Sequence, residues 1–237
     1  MIIIYDFDGT LTPFGIPKYK ILEDLGYNSD KLLKRVMDLI KKEGLSLYEA
    51  FYKTYEDILK ENKVEMNYDN VVLGAKDIAF NPGVLSYFEE LCEKNSGIKH
   101  FIVTSGFEDY VRGTRICDLV NGIYGTIYHK EKDIFTTVNR IITDEEKPNV
   151  IDMIVLENPG KSVIYVGDGL TDKCAFQAVH NLGGKCIFVG SAEQDYENYK
   201  KLKAMGIVDE YFLRDFTNGS PFRKFIEKEN KINNNIK

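Results

Sequence analysis

The sequence has no apolar run long enough to cross a membrane. The opening stretch MIIIY reaches Asp6 too soon to form the core of a signal peptide. A membrane helix needs about 20 consecutive apolar residues, and no later run approaches that length. The sequence therefore predicts a soluble, cytoplasmic protein with no membrane partner.

The sequence also lacks an excess of positive charge. Acidic side chains number 37 and basic side chains number 31, which gives a formal net charge of −6. This balance provides no bulk field that would attract a polyanion. We therefore expect no nucleic-acid partner, and small-molecule chemistry fits the composition better.

Cysteine and histidine are few and scattered. The cysteines form no C-x-x-C pair, and no histidine stands near them at metal-ligand spacing. This distribution argues against a cysteine–histidine metal site and predicts buried, reduced thiols. The residues concerned are Cys92, Cys117, Cys174 and Cys186, together with His100, His129 and His180.

What the sequence does contain is an alternation of apolar runs and helical patterns. A chain of 237 residues with 43% hydrophobic content can form one substantial core. The alternation predicts an α/β fold with a Rossmann-like, doubly wound parallel sheet. Strands are predicted at residues 2–5, 100–104, 162–166 and 186–189, and helices at residues 82–94 and 171–184.

Residues 15–80 interrupt this alternation, because they contain several helical patterns and no convincing strand. The sequence therefore predicts an all-helical domain at residues 15–80, inserted into a core formed by residues 1–14 and 81–237. A β-hairpin is predicted at residues 125–142.

Two helices of the insertion have clear boundaries. The first begins near Asn28 and ends at Gly44, and the second begins with a capping box made by Ser46 and Glu49. The first helix carries an apolar stripe. Its members are Leu32, Leu33, Val36, Met37 and Ile40.

Two aspartates follow the first strand in the stretch DFDGT. Asp8 followed by Gly9 is also a common signature of a two-residue hairpin turn, which is the alternative interpretation. A helical segment follows, with no obvious pairing strand, which favours a central parallel strand that ends at the aspartates. The two-residue period of a strand then lets Asp6 and Asp8 point broadly the same way, as a nucleophile and a neighbouring proton carrier require.

Three further segments are predicted to end at the same edge of the sheet, where ligands bind in open α/β folds. The stretch VTSGF supplies the hydroxyl of Thr104 and the backbone amides of Ser105 and Gly106. The stretch GDGLTD supplies Asp168 and Asp172, an arrangement that suits a hard cation.

The third segment supplies a lysine. Lys147 precedes Pro148, a residue that suits a helix start, and such a helix would begin at the edge occupied by Asp6. Lys161 is nearer to Asp168 in sequence, but it precedes a strand and is predicted to lie at the opposite edge.

These motifs, in this order, resemble the four motifs of the haloacid dehalogenase superfamily, chiefly its phosphatases. They are D-x-D-G-T after an N-terminal strand, a strand that ends in Thr, a Lys-Pro pair and G-D-x-x-x-D. The resemblance covers the whole core, and the helical insertion stands where that superfamily carries its cap. It implies Mg²⁺-dependent phosphoryl transfer through an aspartyl-phosphate.

The resemblance also implies roles for individual residues. Asp6 is the implied nucleophile and Asp8 the implied general acid and base. The implied ligands of Mg²⁺ are the Asp6 carboxylate, the Asp8 backbone carbonyl and the Asp168 carboxylate, with Asp172 reinforcing the site. The implied phosphate-binding residues are Thr104, Ser105, Gly106 and Lys147.

The cap and the two glycine-containing motifs look most like the phosphoserine phosphatase branch. That branch usually carries a glutamate shortly after the first motif and a cap arginine that receives the amino-acid head group. Here the stretch TPFGIPKYK contains no acid, and the only arginine of the cap is Arg35. These departures disfavour phosphoserine as the substrate.

The sequence favours a phosphatase that acts on a small phosphorylated metabolite, because a dehalogenase has no need of an acid at the position of Asp8. A phosphomutase of the same superfamily, or a weakly active phosphate-binding or regulatory protein, is the alternative. We expect a monomer or a homodimer. Substrate specificity is expected in the cap, where Tyr48, Phe51 and Tyr52 are candidates to face the site.

Overall fold

The structure is a computed structural model that describes residues 1–13, 19–93, 97–191 and 194–235. A seven-stranded sheet with the strand order β4-β3-β2-β1-β5-β6-β7 lies at its centre. The strands are β1 (Ile2–Tyr5), β2 (Lys99–Phe107), β3 (Gly122–Glu131), β4 (Ile134–Arg140), β5 (Val163–Gly167), β6 (Lys185–Gly190) and β7 (Glu210–Leu213).

Strand β1 is central because all of its side chains are apolar or aromatic and completely buried, as is typical of a strand covered on both faces. It pairs in parallel with β2 on one side and β5 on the other. The predicted α/β fold is confirmed. The sheet is not wholly parallel, because β4 pairs with β3 in the antiparallel direction and forms the predicted hairpin.

Strand β2 is longer than the sequence predicts. The prediction ends it at residue 104, whereas the strand continues to Phe107. Its pairing with β1 reaches only Ile102, and its pairing with β3 shifts register between Val103 and Phe107. Residues 104–106 therefore belong to an irregular part of the strand, and such irregularities commonly re-aim side chains next to active sites.

The described part of the predicted insertion is built mainly from helices, and two of them have the predicted boundaries. The Asn28 side chain accepts a hydrogen bond from the Lys31 amide, and Gly44 ends the same helix in the left-handed conformation. Ser46 and Glu49 form the predicted capping box. The boundary predicted near residue 14 lies outside the described residues. The helices are α1 (Lys20–Asp24), α2 (Ser29–Glu43), α3 (Leu47–Glu61) and α4 (Tyr68–Val71).

The apolar stripe of α2 is wider than the face that the helix buries. Leu32 and Val36 are buried, whereas Leu33 is 55% exposed and Met37 is 40% exposed. Helix α2 packs mainly against α3, which covers only part of the stripe. Of the stripe, only Leu32 and Val36 are therefore buried, and Ile40 is half-buried.

Helices cover both faces of the sheet. Side chains of α5 and α10 pack over one face together with Ile3 and Tyr5, and side chains of α7, α8 and α9 pack over the other together with Ile2 and Ile4. None of the described helices is long and apolar enough to span a membrane. The helices of the core are α5 (Val84–Glu93), α6 (Glu108–Arg112), α7 (Lys147–Leu156), α8 (Lys173–Asn181), α9 (Gln194–Ala204) and α10 (Pro221–Asn235).

The insertion shares its hydrophobic core with the end of β2 and with the β3–β4 hairpin. Phe107, Tyr128 and Phe135 belong to the same apolar cluster as the buried tyrosines of the insertion. The ring of Phe107 stacks on that of Tyr128 with centroids 4.9 Å apart. The backbone also joins the two parts, because the Phe135 amide donates to the Met66 carbonyl. This part of the insertion is therefore not purely helical.

The described cysteines are free thiols, as predicted. Cys186 is buried, whereas Cys117 and Cys174 are only half-buried. The prediction of burial is therefore wrong for these two, and the side chain of Cys92 lies outside the described residues.

His100 is a buried histidine near the start of β2. Its ring is 2% exposed and packs against Tyr5 and Phe88, with Nδ1 3.1 Å from the Tyr5 hydroxyl. Among the described residues Nε2 has no hydrogen-bond partner. Burial lowers the pKa of His100 to about 3.

We predict that His100 makes the protein less stable as the pH falls below 6.5. Below pH 6.5 His100 binds a proton in the unfolded chain, whereas in the folded protein it stays neutral down to its lowered pKa of about 3. The free energy of unfolding should therefore fall by about 1.4 kcal/mol for each pH unit between pH 6 and the folded pKa. Urea unfolding of the wild type and of His100→Phe at several pH values measures this term as the difference between the two curves. Parallel curves would contradict the prediction.

Candidate active site

Three carboxylates meet at the carboxyl edge of the central strands. Asp6 directly follows β1 and Asp168 directly follows β5, which is paired with β1. Asp172 lies four residues further along the chain. Each of the three residues has a carboxylate oxygen within 4.8 Å of those of the other two. The structure therefore brings together the residues predicted from the first and last motifs.

Lys147 lies inside this acidic cluster. It is the first residue of α7 and is 2% exposed, and its Nζ atom lies 2.8 Å from Asp6 Oδ1 and 2.8 Å from Asp172 Oδ1. Burial opposes its charge, but the two carboxylates outweigh burial and hold the pKa of Lys147 well above its usual value. Lys161 precedes β5 and so lies at the opposite edge of the sheet, as predicted.

Asp172 is completely buried, and hydrogen bonds occupy both of its oxygens. Oδ1 accepts from Lys147 and from the Tyr165 hydroxyl at 2.6 Å, and Oδ2 accepts from the backbone amides of Asp168 and Gly169 at 3.1 and 3.2 Å. These bonds fix the loop that carries Asp168. Asp172 therefore orients Asp168 and Lys147.

Asp6 is buried and Asp8 is half-buried, and the pKa values of both acids are raised. Burial raises the pKa of Asp6 to about 7, with Lys147 lowering it and Asp172 raising it further. Burial and the nearby charge of Asp6 raise the pKa of Asp8 to about 8. A protonated carboxyl group can donate a proton, so Asp8 is suited to act as an acid.

The irregular part of β2 faces Asp8. A Cβ atom at Gly106 would lie 3.0 Å from Asp8 Oδ2 and 3.3 Å from Thr104 Oγ1, so both side chains border the space beside this glycine. The Gly106 amide donates to Thr104 Oγ1 at 3.0 Å. The Ser105 hydroxyl is buried and has no hydrogen-bond partner among the described residues. The predicted phosphate-binding residues thus lie next to the predicted acid.

Sequence reasoning missed two side chains that hold Asp168. The Thr10 hydroxyl donates to Asp168 Oδ1 at 3.2 Å, and Arg214 Nη2 donates to Asp168 Oδ2 at 3.0 Å. Arg214 also contacts Asp195 Oδ2 at 3.1 Å. Arg214 directly follows β7, so recognising the short strand EYFL would have placed it at this edge.

The site fits a hard divalent cation. Its donors are carboxylate oxygens, which Mg²⁺ prefers, and they lie close enough to share one ion. The chain makes room for them at Gly9, which has a φ of +81° and where a Cβ atom would lie only 2.3 Å from Asp168 Oδ2. Asp6 and Asp168 are better placed to bind than Asp172, because each oxygen of Asp172 already accepts two hydrogen bonds whereas each oxygen of Asp168 accepts one.

Known proteins resemble this chain in sequence and in fold. No family model matches the sequence. An uncharacterized protein from Borreliella burgdorferi is 24% identical over an aligned length of 278 residues, and the match covers 94% of this chain and 94% of that protein.

Solved structures give the fold. A phosphoserine phosphatase, described as a phospho-aspartyl intermediate analogue, has a TM-score of 0.64 at 18% identity and covers 96% of this chain and 97% of its own. A HAD family hydrolase from Salmonella enterica subsp. enterica serovar Typhi has a TM-score of 0.60 at 16% identity and covers 83% of this chain and 64% of its own. The chain therefore has the fold of the haloacid dehalogenase hydrolases, and its predicted resemblance to their phosphoserine phosphatase branch is confirmed at the level of the fold.

Proposed function

We propose that this protein is a phosphatase that hydrolyses small-molecule phosphate monoesters through a phosphorylated Asp6. The observation that carries the proposal is the position of Lys147, whose ammonium group bridges the buried carboxylates of Asp6 and Asp172. An ammonium held there can restrain a nucleophile and neutralise the charge of a phosphoryl group. The similar fold of a phosphoserine phosphatase, described as a phospho-aspartyl intermediate analogue, supports the same chemistry.

Binding of the ester would use the irregular end of β2. The Thr104 hydroxyl, the backbone amides of Ser105 and Gly106 and the Lys147 ammonium group are the donors available for the phosphoryl oxygens. The Gly106 amide would exchange its bond to Thr104 for a bond to the substrate. Such fixed donors contribute most to phosphoryl transfer by positioning the reacting groups and by neutralising charge.

In the first step an Asp6 carboxylate oxygen attacks the phosphorus atom, and the bond from phosphorus to the leaving oxygen breaks. The carboxylic acid of Asp8 gives its proton to that oxygen, so the alcohol departs neutral. The products of this step are the free alcohol, a phosphorylated Asp6 and an Asp8 carboxylate.

In the second step the Asp8 carboxylate takes a proton from a water molecule whose oxygen attacks the phosphorus atom. The bond between phosphorus and the Asp6 oxygen breaks, and inorganic phosphate leaves. Asp6 returns to a carboxylate and Asp8 to a carboxylic acid, so the enzyme is restored and one water molecule is consumed.

Magnesium is the cofactor that we propose for this site. The carboxylates of Asp6 and Asp168 and the backbone carbonyl of Asp8 would hold it, and Asp172 would keep Asp168 in place. When bound, the ion would offset the negative charge of the phosphoryl group and of the acidic cluster.

We predict that removing divalent metal abolishes turnover. Para-nitrophenyl phosphate, a generic ester, should be hydrolysed in the presence of Mg²⁺, should not be hydrolysed in excess EDTA, and should be hydrolysed again when Mg²⁺ is restored. An undiminished rate in EDTA would contradict the metal requirement. Absence of turnover under every metal condition would favour a binding or regulatory protein.

A matched pair of variants locates the metal. Asp168→Asn and Asp195→Asn each remove a carboxylate that contacts Arg214, but only Asp168 belongs to the acidic trio. Calorimetric titration with Mg²⁺ should show at least about tenfold weaker binding for Asp168→Asn and near-normal binding for Asp195→Asn. Equal affinities in the two variants would place the metal elsewhere.

A further inference from the structure

A polar cluster joins the helical insertion to the core beside the catalytic residues. Its members are Tyr48 in the first turn of α3, Ser105 in β2 and Asp144, three residues before α7 begins at Lys147. The Tyr48 hydroxyl donates a hydrogen bond to Asp144 Oδ1. We call these three residues the Tyr48 cluster.

The Tyr48 cluster lies within electrostatic reach of the catalytic residues. Burial raises the pKa of Asp144, and the charges of Lys147 and Asp172 both act on it, in opposite directions. Burial also raises the pKa of Tyr48, as does its bond to Asp144, whereas the neighbouring hydroxyl of Ser105 and the charge of Lys147 act to lower it. The cluster therefore lies near Lys147, and Ser105 stands between Thr104 and Gly106 in the chain.

The Ser105 hydroxyl supplies the evidence that this cluster binds a ligand. Ser105 is only 7% exposed, and its Oγ atom has no hydrogen-bond partner among the described residues. Its backbone is fixed, because its carbonyl accepts from the hydroxyls of Tyr52 at 2.6 Å and Thr126 at 3.0 Å. A buried polar group normally has a partner, so a fixed hydroxyl without one is suited to receive a bond from a ligand.

The charges around the site indicate which ligand groups are accepted. The cations bonded to the acidic cluster, Lys147 and Arg214, each already contact two carboxylates. Arg35, the only arginine of the insertion, makes a bidentate pair with Glu61. The Tyr48 cluster itself offers a carboxylate and two hydroxyls. It can therefore accept hydrogen bonds from a substrate but has no cation of its own to offer a carboxylate.

We propose that the Tyr48 cluster binds the leaving-alcohol part of the substrate through a hydroxyl or ammonium group, and that it disfavours esters that carry a carboxylate at this position. The inference rests on the proposed phosphatase function and specifies its substrate class. Asp144 and Ser105 accept the donor group of the substrate, and Tyr48 holds Asp144 in position. The chemistry of the phosphoryl group stays with the residues described above.

Matched pairs of esters test the proposal. Ethanolamine phosphate and phosphoserine differ by one carboxylate, and glycerol 3-phosphate and 3-phosphoglycerate differ by a hydroxymethyl group in place of a carboxylate. We expect the wild type to prefer the carboxylate-free member of each pair by about tenfold or more in kcat/KM. Equal rates, or a preference for the carboxylate esters, would overturn the proposal.

Variants of the cluster should reduce this preference. Asp144→Asn should lower the ratio of kcat/KM within each pair by about fivefold or more, mainly through a higher KM for the carboxylate-free ester. Ser105→Ala should act in the same direction without lowering the melting temperature, because it removes a hydroxyl for which the described residues provide no hydrogen-bond partner. An equal fall for both members of each pair would mean that the cluster only holds the insertion to the core, and would overturn the proposal.

Tyr128→Phe is the matched control. It also removes a hydrogen bond between a tyrosine hydroxyl and a carboxylate at the boundary with the insertion, to Glu56 at 2.8 Å, but it lies outside the cluster. Its ester preference should equal that of the wild type, and a ratio altered as much as in Asp144→Asn would overturn the assignment to the Tyr48 cluster.

Turnover of para-nitrophenyl phosphate separates a failure of the proposed phosphatase function from a failure of the proposed role of the Tyr48 cluster. If the wild type does not hydrolyse it, the phosphatase function fails and this inference with it; if it does, and the ratios are unchanged in the variants, only this inference fails.

Discussion

Replacing Asp6 with asparagine should abolish turnover while the protein still folds. The amide has nearly the shape of the carboxylate but lacks the negative oxygen that attacks phosphorus, so a loss on the order of 10³-fold or more is expected in kcat. Folding should survive, because burial already disfavours the charged form of the Asp6 carboxyl group and raises its pKa to about 7. The neutral amide therefore suits the buried position. Lys147 keeps its bond to Asp172 in this variant.

Two measurements are needed to interpret that result. Steady-state hydrolysis of para-nitrophenyl phosphate gives the loss of rate, and thermal unfolding followed by circular dichroism shows whether the fold is intact. A folded Asp6→Asn protein with near-normal activity would contradict the assignment of Asp6 as the nucleophile. Asp195→Asn controls for the general loss of negative charge at this edge of the sheet, and it should remain active.

Replacing Lys147 should cost about a hundredfold or more in rate, comparable with the loss of one oxyanion-hole donor. The ammonium group is the shared partner of Asp6 and Asp172, so its removal leaves two buried carboxylates without their cation. Loss of one partner of a buried ion pair costs about 3–5 kcal/mol of stability. Lys147→Met keeps most of the apolar stem and should be compared with Lys147→Ala by urea unfolding as well as by rate.

Lys161→Ala provides the matched control. Lys161 is nearer to Asp168 along the chain, but it lies before β5 at the opposite edge of the sheet. Its replacement should leave the rate near that of the wild type. A large loss in Lys161→Ala together with a normal rate in Lys147→Ala would contradict this placement of the phosphate-binding lysine.

The sequence was sufficient to predict the centre of the fold and the residues that converge there. Strand β1 is fully apolar, and the helix that starts at Lys147 contains Pro148, so both have strong local signals. The carboxyl ends of neighbouring parallel strands meet at one edge by geometry. For this reason Asp6, Lys147 and Asp168 could be placed together without knowledge of any contact between them.

Features that depend on pairing between distant segments could not be predicted in this way. The apolar run of β2 ends at Thr104 when only the side-chain pattern is considered, yet the strand continues through the small residues Ser105 and Gly106. Only the register with β1 and β3 shows that these residues leave the regular pairing. The roles of their backbone groups depend on that irregularity.

The failure to predict the partners of Asp168 has a similar explanation. Strand β7 has only four residues, so the position of Arg214 at the sheet edge has a weak local signal. The exposure of Leu33 and Met37 depends on how many helices pack against α2, which helical periodicity alone does not specify. The shared core of the insertion and the hairpin likewise depends on contacts such as that between Phe107 and Tyr128.

Trapping the covalent intermediate tests the central claim most directly. The protein would be mixed with para-nitrophenyl phosphate and Mg²⁺, quenched in acid and reduced with borohydride, which converts an aspartyl-phosphate to homoserine. Peptide mass spectrometry would then locate the homoserine. We predict substrate-dependent homoserine at position 6, and none in Asp6→Asn. Continuing turnover with no homoserine at position 6, or homoserine at another aspartate, would contradict the account.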